Sequence, residues 1–146
     1  MINRLVIVGV GLIGGSLALA LKKAKFVRNI IGVGRSEVNL NIARDLRIVD
    51  EIVVNLSDAV AEADLIVLAA PLSATRPLFA ELRPILSETT ILTDVGSVKG
   101  GIVKDAEEQL GASFCRFVPG HPIAGSEAKG AKSAFGEHFL NHHVLL

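Results

Sequence analysis

The sequence predicts an α/β fold, with a doubly wound, mainly parallel sheet and helices on both of its faces. Short continuous aliphatic runs recur along the chain, which is typical of strands buried on both faces. Helix-like stretches separate these runs, and this alternation implies right-handed crossovers between parallel strands. The chain has 146 residues, and about 150 residues is an ordinary domain length. We therefore expect residues 1–146 to form one domain.

The elements follow from those runs in chain order. In the first half, predicted strands at residues 5–8, 30–33 and 65–69 alternate with predicted helices at 11–23, 37–46 and 57–63. Ser57 is the expected N-cap of the third helix. In the second half, a helix at 78–86 is interrupted by Pro84, and a strand at 90–93 precedes a helix at 98–110. Residues 116–118 and 143–146 are the last two predicted strands.

Composition argues against several classes of function. Fifteen basic side chains balance fifteen acidic ones, which disfavours a nucleic-acid partner held by charge alone. There is no Trp or Tyr on which bases would stack. Cys115 is the single cysteine, so an intrachain disulfide is excluded, and its combination with scattered histidines is no zinc motif. We expect neither a metal site nor a nucleic-acid partner.

Residues 5–21 carry no charge and resemble a membrane anchor at first sight. Four glycines within this stretch argue against that interpretation, because glycine weakens a short helix. No signal-peptide cleavage site follows, and no other segment is long enough to span a bilayer. We expect a cytoplasmic protein without a membrane partner.

A glycine motif lies between the first predicted strand and the first predicted helix. Gly9, Gly11 and Gly14 form the pattern G-x-G-x-x-G, in which they permit a tight turn, leave room for a pyrophosphate and allow close helix packing, respectively. Free N–H groups at the helix N-terminus, at Leu12 and Ile13, would bind the phosphates. The pattern predicts a dinucleotide-binding, Rossmann-type fold. A glycine-rich turn without a ligand is the alternative.

The end of the second predicted strand selects the cofactor. An acidic residue there would bond the ribose 2′-hydroxyl of NAD, but the sequence has Gly34, followed by Arg35 and Ser36. Arg35 and Ser36 can hold a 2′-phosphate, the arginine through charge-assisted hydrogen bonds. The sequence therefore favours NADP over NAD. In the alternative, Arg35 is a solvated surface residue and Glu37 reaches the ribose.

Two further loops follow predicted strands, at the sheet edge where open α/β folds bind ligands. Ala70 and Pro71 suit a wall against the cofactor, although an ordinary turn explains them almost as well. Ser97 begins a helix, where it acts as an N-cap, places its hydroxyl beside the nicotinamide, or does both. Asp94 is expected to brace the loop by accepting backbone N–H bonds.

His121 lies between a glycine and a proline in a third loop at the same edge. Imidazole can accept a proton near neutral pH, and hydride transfer from an alcohol needs a base for the hydroxyl proton. We therefore select His121 as the catalytic residue. His138, His142 and His143 are interpreted as surface or strand-end residues, and the last two would point to opposite faces of a strand.

Three segments together resemble the prephenate and arogenate dehydrogenases of tyrosine biosynthesis. They are VGVGLIGGS at residues 8–16, DVGSVK at 94–99 and GHPIAGSE at 120–127. The first segment is generic and the third is highly specific, and their order and spacing match across essentially the whole chain. The resemblance implies a cyclohexadiene substrate with a ring hydroxyl, whose proton His121 accepts while Ser97 helps to hold it. It also places Glu127 at the substrate entrance, with Ser126 beside it.

The function implied by the resemblance is NAD(P)-dependent oxidative decarboxylation of prephenate to 4-hydroxyphenylpyruvate. Oxidation of arogenate, the amino analogue, is one alternative, and a nucleotide-binding fragment without catalysis is another. Members of the family continue into a helical domain, which builds a dimer and supplies an arginine to the substrate. The sequence ends before that domain. We therefore expect a truncated enzyme that forms a homodimer, binds its cofactor and lacks turnover of its own.

Overall fold

A computed structural model describes residues 1–124 and 128–146. Its centre is a sheet of β1 (Ile2–Val8), β2 (Val27–Val33), β3 (Glu51–Ile52), β4 (Leu65–Leu68), β5 (Ile91–Asp94) and β6 (Phe117–Val118). The strand order is β3-β2-β1-β4-β5-β6, and every adjacent pair is parallel. The order reverses between β1 and β4, which creates the crevice where open α/β sheets bind ligands.

Helices cover both faces of this sheet. They are α1 (Leu12–Lys23), α2 (Glu37–Asp45), α3 (Leu56–Val60), α4 (Leu72–Leu82) and α5 (Lys99–Leu110), with short 3₁₀ helices at Gly111–Arg116 and Ala131–Ser133. Side chains alternate along β1, so Val6 and Val8 enter the core beneath α3, α4 and α5. Leu5 and Ile7 enter the core beneath α1 and α2. The doubly wound α/β fold predicted from the sequence is therefore confirmed.

Several predicted boundaries were wrong. α4 begins at Leu72 instead of residue 78 and contains Pro77, whereas Pro84 lies beyond its end. Asn55, and not Ser57, caps α3, because its Oδ1 accepts the N–H of Ser57 at 2.8 Å. β3 was not predicted. Its two residues pair with β2 but carry no hydrophobic run of their own.

The last two predicted strands also differ from the structure. Arg116 ends a 3₁₀ helix, so the strand before the third loop is Phe117–Val118. The segment predicted at 143–146 does not join the parallel sheet. It forms β8 (Val144–Leu145), which pairs antiparallel with β7 (His121–Pro122) in a separate two-stranded sheet. Among the described residues, no helix is both long enough and apolar enough to cross a membrane.

Candidate functional site

The carboxyl ends of three central strands lie side by side. Val8 is the register partner of Leu68, and Leu68 is the partner of Asp94. The loops after these strands border an open cleft of about 880 Å³, within the range of roughly 300–1,000 Å³ that is common for small-molecule sites. Its walls include ten of the residues selected from the sequence: Gly9, Gly11, Leu12, Ile13, Arg35, Ser36, Ala70, Pro71, Ser97 and His121.

The glycine turn after β1 has the shape that the sequence predicts. Gly9 has φ of +101°, and a Cβ built there would lie 2.5 Å from the carbonyl oxygen of Ala69. A Cβ on Gly14 would lie 2.9 Å from Cγ2 of Ile7, so Gly14 packs α1 against β1 and lies outside the cleft wall. Gly11 is different, because a Cβ there would meet nothing within 4 Å.

The N-terminus of α1 borders this open space. Gly11 is the N-cap and provides no side-chain hydrogen bond, and the first turn holds no acidic residue. The first N–H groups of a helix lack partners within the helix, and together with the helix dipole they favour an anion. The residues present therefore fit the pyrophosphate of a dinucleotide. Leu12 and Ile13 are the first helical residues on the cleft wall.

The segment where β2 leads into α2 forms another part of the cleft wall. Arg35 is exposed and forms no side-chain hydrogen bond or ion pair with any residue described. Ser36 caps α2 by accepting the N–H of Asn39 at 3.2 Å. Glu37 is exposed and is not part of the cleft wall. Among the described residues that border this part of the cleft, there is a cation and a hydroxyl but no carboxylate.

Asp94 braces two loops at once. Its carboxylate is buried, and it accepts the N–H of Gly96 at 2.8 Å and the N–H of Gly120 at 3.2 Å. Nζ of Lys99 pairs with the same carboxylate and also donates to the carbonyl oxygen of Gly120 at 2.8 Å. The bracing role predicted for Asp94 is confirmed, and Lys99 adds a second connection to the residue before His121.

Ser97 and His121 both line the cleft. The predicted N-cap role of Ser97 is wrong, because α5 begins at Lys99 after Val98 and shows no side-chain cap. Ser97 is exposed on the cleft wall, and its hydroxyl is not used by the helix. His121 is half-buried in β7. A proton acceptor and a hydroxyl thus face the same space.

The other histidines do not share one environment. His142 and His143 are exposed, but the prediction that His138 lies at the surface is wrong. The ring of His138 is buried against Phe135 and Phe139. In the part of the chain that the structure describes, no group of three His, Cys, Asp or Glu residues has the geometry of a metal site.

Sequence reasoning did not select two other residues of the cleft wall as cofactor contacts. Asn39 donates to the carbonyl oxygen of Val10 at 2.6 Å and accepts the N–H of Ala131 at 2.9 Å. Its position three residues after Ser36 indicates only that Asn39 belongs to the first turn of α2, and not that it contacts the cleft. Lys129 contributes a second cation to the wall. The predicted substrate residues Ser126 and Glu127 lie outside the described residues.

Comparison with known proteins gives a consistent family. The nucleotide-binding domain of prephenate dehydrogenase matches residues 17–146. A prephenate dehydrogenase from Lactococcus lactis is 38% identical over 145 residues, which are 99% of this chain and 40% of that protein. The chain therefore spans less than half the length of this relative.

Solved structures agree with that result. Prephenate dehydrogenase from A. aeolicus, in complex with hydroxyphenyl propionate and NAD⁺, is 36% identical with a TM-score of 0.89, over 99% of this chain and 50% of that one. An arogenate dehydrogenase from Synechocystis is 35% identical with a TM-score of 0.85, over 97% and 48% of the two chains.

Proposed function

This chain belongs to the family of prephenate dehydrogenase nucleotide-binding domains, and from that premise we propose that it binds a nicotinamide dinucleotide for the oxidation of prephenate. One observation carries the proposal: a single cleft is bordered by the open glycine turn at Gly11 and by the imidazole of His121. The turn suits a pyrophosphate, and the imidazole suits a hydroxyl proton. The resemblance of the segments at 94–99 and 120–127 and the relatives' names support the same reaction.

The proposed reaction is an oxidative decarboxylation. When bound, the oxidised nicotinamide supplies an acceptor for the hydride that leaves the ring carbon carrying the hydroxyl. His121 accepts the hydroxyl proton as the C–O bond becomes a carbonyl, and Ser97 holds the same oxygen. The ring carboxylate leaves as CO₂ and its bonding electrons enter the ring, which becomes aromatic. His121 returns the proton to the oxygen, and the product is 4-hydroxyphenylpyruvate. Ser126 and Glu127 remain predicted substrate residues on the strength of the resemblance.

Replacement of His121 tests this role. In the protein as its gene encodes it, His121→Asn should lower kcat for prephenate by about 10²–10⁴-fold, which is the usual contribution of a general base. Affinity for the dinucleotide should stay within about twofold, because His121 is not part of the glycine turn. His142→Asn is the matched control, since that ring is exposed away from the cleft wall. A His121→Asn protein with nearly unchanged kcat would exclude His121 as the base.

We propose NADP as the preferred cofactor. Gly34 supplies no carboxylate to bond a ribose hydroxyl, and Arg35 is an exposed cation beside the capping hydroxyl of Ser36. The A. aeolicus relative was crystallised with NAD⁺, so the preference needs a direct measurement. Calorimetry should give tighter binding of NADP than of NAD, and Arg35→Ala should weaken NADP alone by about tenfold or more. Arg28→Ala is the control, and equal affinities in the unaltered protein would contradict the preference.

Arogenate is the second candidate substrate, favoured by the likeness to the Synechocystis arogenate dehydrogenase. Prephenate and arogenate differ only in a keto or an amino group on the side chain, so both suit the same base and hydride acceptor. The ratio of kcat/KM for the two compounds decides between them. A ratio well above one for prephenate supports the first proposal, and a ratio well below one replaces it with the second.

We also propose that residues 1–146 form a nucleotide-binding domain that binds the cofactor but does not oxidise prephenate alone. Prephenate carries two carboxylates, and on the described cleft wall the cations are Arg35 and Lys129. Lys99 is already paired with Asp94. Loss of substrate orientation can forfeit several kcal/mol of catalysis, on the order of 10²-fold or more in rate. Measured oxidation of prephenate by the 146-residue chain would refute this proposal. A cytoplasmic location of the protein stays a prediction from the sequence.

A further inference from the structure

The buried ring of His138 is hydrogen-bonded to the segment that carries His121. We propose that His138 is a positioning residue for His121. We call residues 121–124 the His121 strip. The inference rests on the proposed function, in which His121 is the base. It assigns a task to a histidine that sequence reasoning placed at the surface.

The contact with the strip is a hydrogen bond inside the protein. Nε2 of His138 lies 3.2 Å from the carbonyl oxygen of Ala124, the last residue of the strip, and His138 is only 6% exposed. A carbonyl oxygen can only accept, so Nε2 is the donor. A buried polar group without a partner is costly, and therefore this bond fixes the ring and the carbonyl together.

Two aromatic rings pack against the imidazole of His138 and restrain its orientation. Phe135 and Phe139 both contact His138 edge to face, with ring centroids 4.8 Å and 5.1 Å away. Such contacts restrict rotation of the ring about its side-chain bonds. The donor Nε2 is consequently aimed at Ala124 before any ligand binds.

The other contacts of the strip are closer to solvent. His121 and Pro122 pair with Leu145 and Val144 in the two-stranded sheet, and both β8 residues are exposed. The N–H of Ile123 donates to the carbonyl oxygen of exposed His143 at 2.8 Å. Exposed two-stranded pairings are only marginally stable by themselves. Among the described contacts between the strip and the segment 135–145, the His138 bond is thus the buried one.

The segment that carries His138 is anchored to α1. The N–H of Phe135 donates to Oγ of buried Ser16 at 3.1 Å, and Lys23 pairs with Glu137 at 2.5 Å. α1 also supplies the N-terminus that borders the cleft. His138 therefore links the helix proposed to bind the cofactor with the strip that carries the proposed base, and so fixes the spacing between them.

Matched variants of the 146-residue chain test this link. His138→Phe keeps an aromatic ring but has no donor, and His138→Gln keeps an N–H donor of similar reach. His142→Phe keeps a ring at exposed His142, whose ring centroid lies 6.5 Å from that of His138, so it leaves the ring packing around His138 in place. We expect His138→Phe to speed amide hydrogen exchange at Ile123 about tenfold or more, with the amide of Ile31 in the core of β2 unchanged. The Cε1–H resonance of His121 should shift and broaden in the same variant. His138→Gln should restore both signals, and His142→Phe should leave both unchanged.

Other outcomes overturn the proposal. Unchanged exchange at Ile123 in His138→Phe would show that the bond positions nothing. Faster exchange throughout the protein in both His138 variants would show a purely structural residue. If His138→Phe fails to fold, the ring of the unaltered protein still decides, because nitrogen NMR must find a slowly exchanging proton on Nε2 of His138. These measurements need neither substrate nor turnover, so an unchanged kcat in His121→Asn would refute the proposed role of His121 as the base and leave this test readable.

Discussion

Gly9 and Gly11 occupy the same turn but differ in the space beside them. Gly9 has positive φ and faces the backbone of Ala69, whereas Gly11 faces the open cleft. Replacement of Gly9 therefore affects folding, and replacement of Gly11 affects what enters the cleft. These different roles of Gly9 and Gly11 were predictable from the sequence, because the motif involves only one strand, the turn after it and the helix that follows.

A pair of alanine variants should separate the two effects. Gly9→Ala should lower the free energy of unfolding by about 1–3 kcal/mol, since alanine is strained at positive φ. Gly11→Ala should lower the free energy of unfolding by no more than about 1 kcal/mol, because alanine is a poorer N-cap than glycine. It should weaken dinucleotide binding by about tenfold or more, because its methyl group enters the space left for the pyrophosphate. Urea unfolding and calorimetry measure the two quantities.

Gly101→Ala is the control for this pair. Gly101 lies in α5 with open space around it, so alanine should stabilise the protein by up to about 1 kcal/mol without changing cofactor affinity. Full cofactor affinity in Gly11→Ala would show that the turn does not contact the ligand.

Asn39 shows where reasoning from the sequence stops at the residue scale. Its two hydrogen bonds connect Val10 with Ala131, and Ala131 lies 92 residues after Asn39 in the chain. No spacing rule connects such positions, because only tertiary packing brings them together. His138 was assigned to the surface although Phe135 and Phe139 lie close to it in the sequence. Its burial also depends on the contact with Ala124, 14 residues earlier, and on the packing of this segment against α1.

At the scale of elements, the central strands were predictable and the short ones were not. β1, β2 and β4 carry continuous buried runs, which is the pattern of strands covered on both faces. β3 and β8 have two residues each and depend on neighbours for their hydrogen bonds. Caps were also misplaced by one or two residues, because Ser57 and Ser97 are good capping residues whose hydroxyls the observed helix starts do not use.

Asp94 joins two elements, and its removal should weaken both. Asp94→Asn replaces a buried carboxylate that accepts two N–H bonds and pairs with Lys99. We expect the free energy of unfolding to fall by about 2–4 kcal/mol, as is usual when one partner of a buried pair is lost. Amide exchange at Gly120 should rise at the same time.

The comparison variant for Asp94 is Asp45→Asn. Asp45 is exposed and pairs only with neighbouring Arg44 among the described contacts, so its replacement should change the free energy of unfolding by less than about 0.5 kcal/mol. If Asp94→Asn were equally mild in urea unfolding, the carboxylate would not be what holds the two loops together.

The ion pair between α1 and the segment before β8 should be visible in a titration. Nζ of Lys23 donates to the carboxylate of Glu137, which lowers the pKa of Glu137 below its ordinary value of 4.5. A lowered pKa means that the pair stabilises the fold above the ordinary value and that this effect is lost as the pH falls through the lowered one. The contribution is small because both side chains are exposed.

Removal of the lysine should therefore raise that pKa. In Lys23→Gln, the carboxyl carbon resonance of Glu137 should titrate at higher pH than in the parent, close to the ordinary value. Lys25→Gln removes an exposed charge two residues after Lys23 that makes no contact with Glu137 among the contacts described, and it should leave the titration unchanged. An equal shift in both variants would indicate a general charge effect instead of a specific pair.

At the scale of the whole molecule, the order of elements was enough to predict the doubly wound sheet. Alternation of runs and helices fixes parallel pairing and handedness, and the glycine motif predicts a cofactor site beside β1. The position of the segment at 143–146 was not predictable in this way. The three apolar residues after His143 are compatible with a central strand, but β8 turns back and pairs antiparallel with β7.

This arrangement leaves apolar side chains on the surface, and we expect them to promote self-association. Leu140, Val144, Leu145 and Leu146 are each more than half exposed, at 63%, 54%, 57% and 86%. Exposed apolar side chains of this kind favour contact with a second copy of the chain. Sedimentation should show a dimer or larger species at high concentration, and Leu146→Lys should shift the chain toward monomer. Val54→Lys alters a valine that is 83% exposed elsewhere on the surface, and it should leave the association unchanged. A parent chain that stays monomeric at every concentration would contradict this expectation.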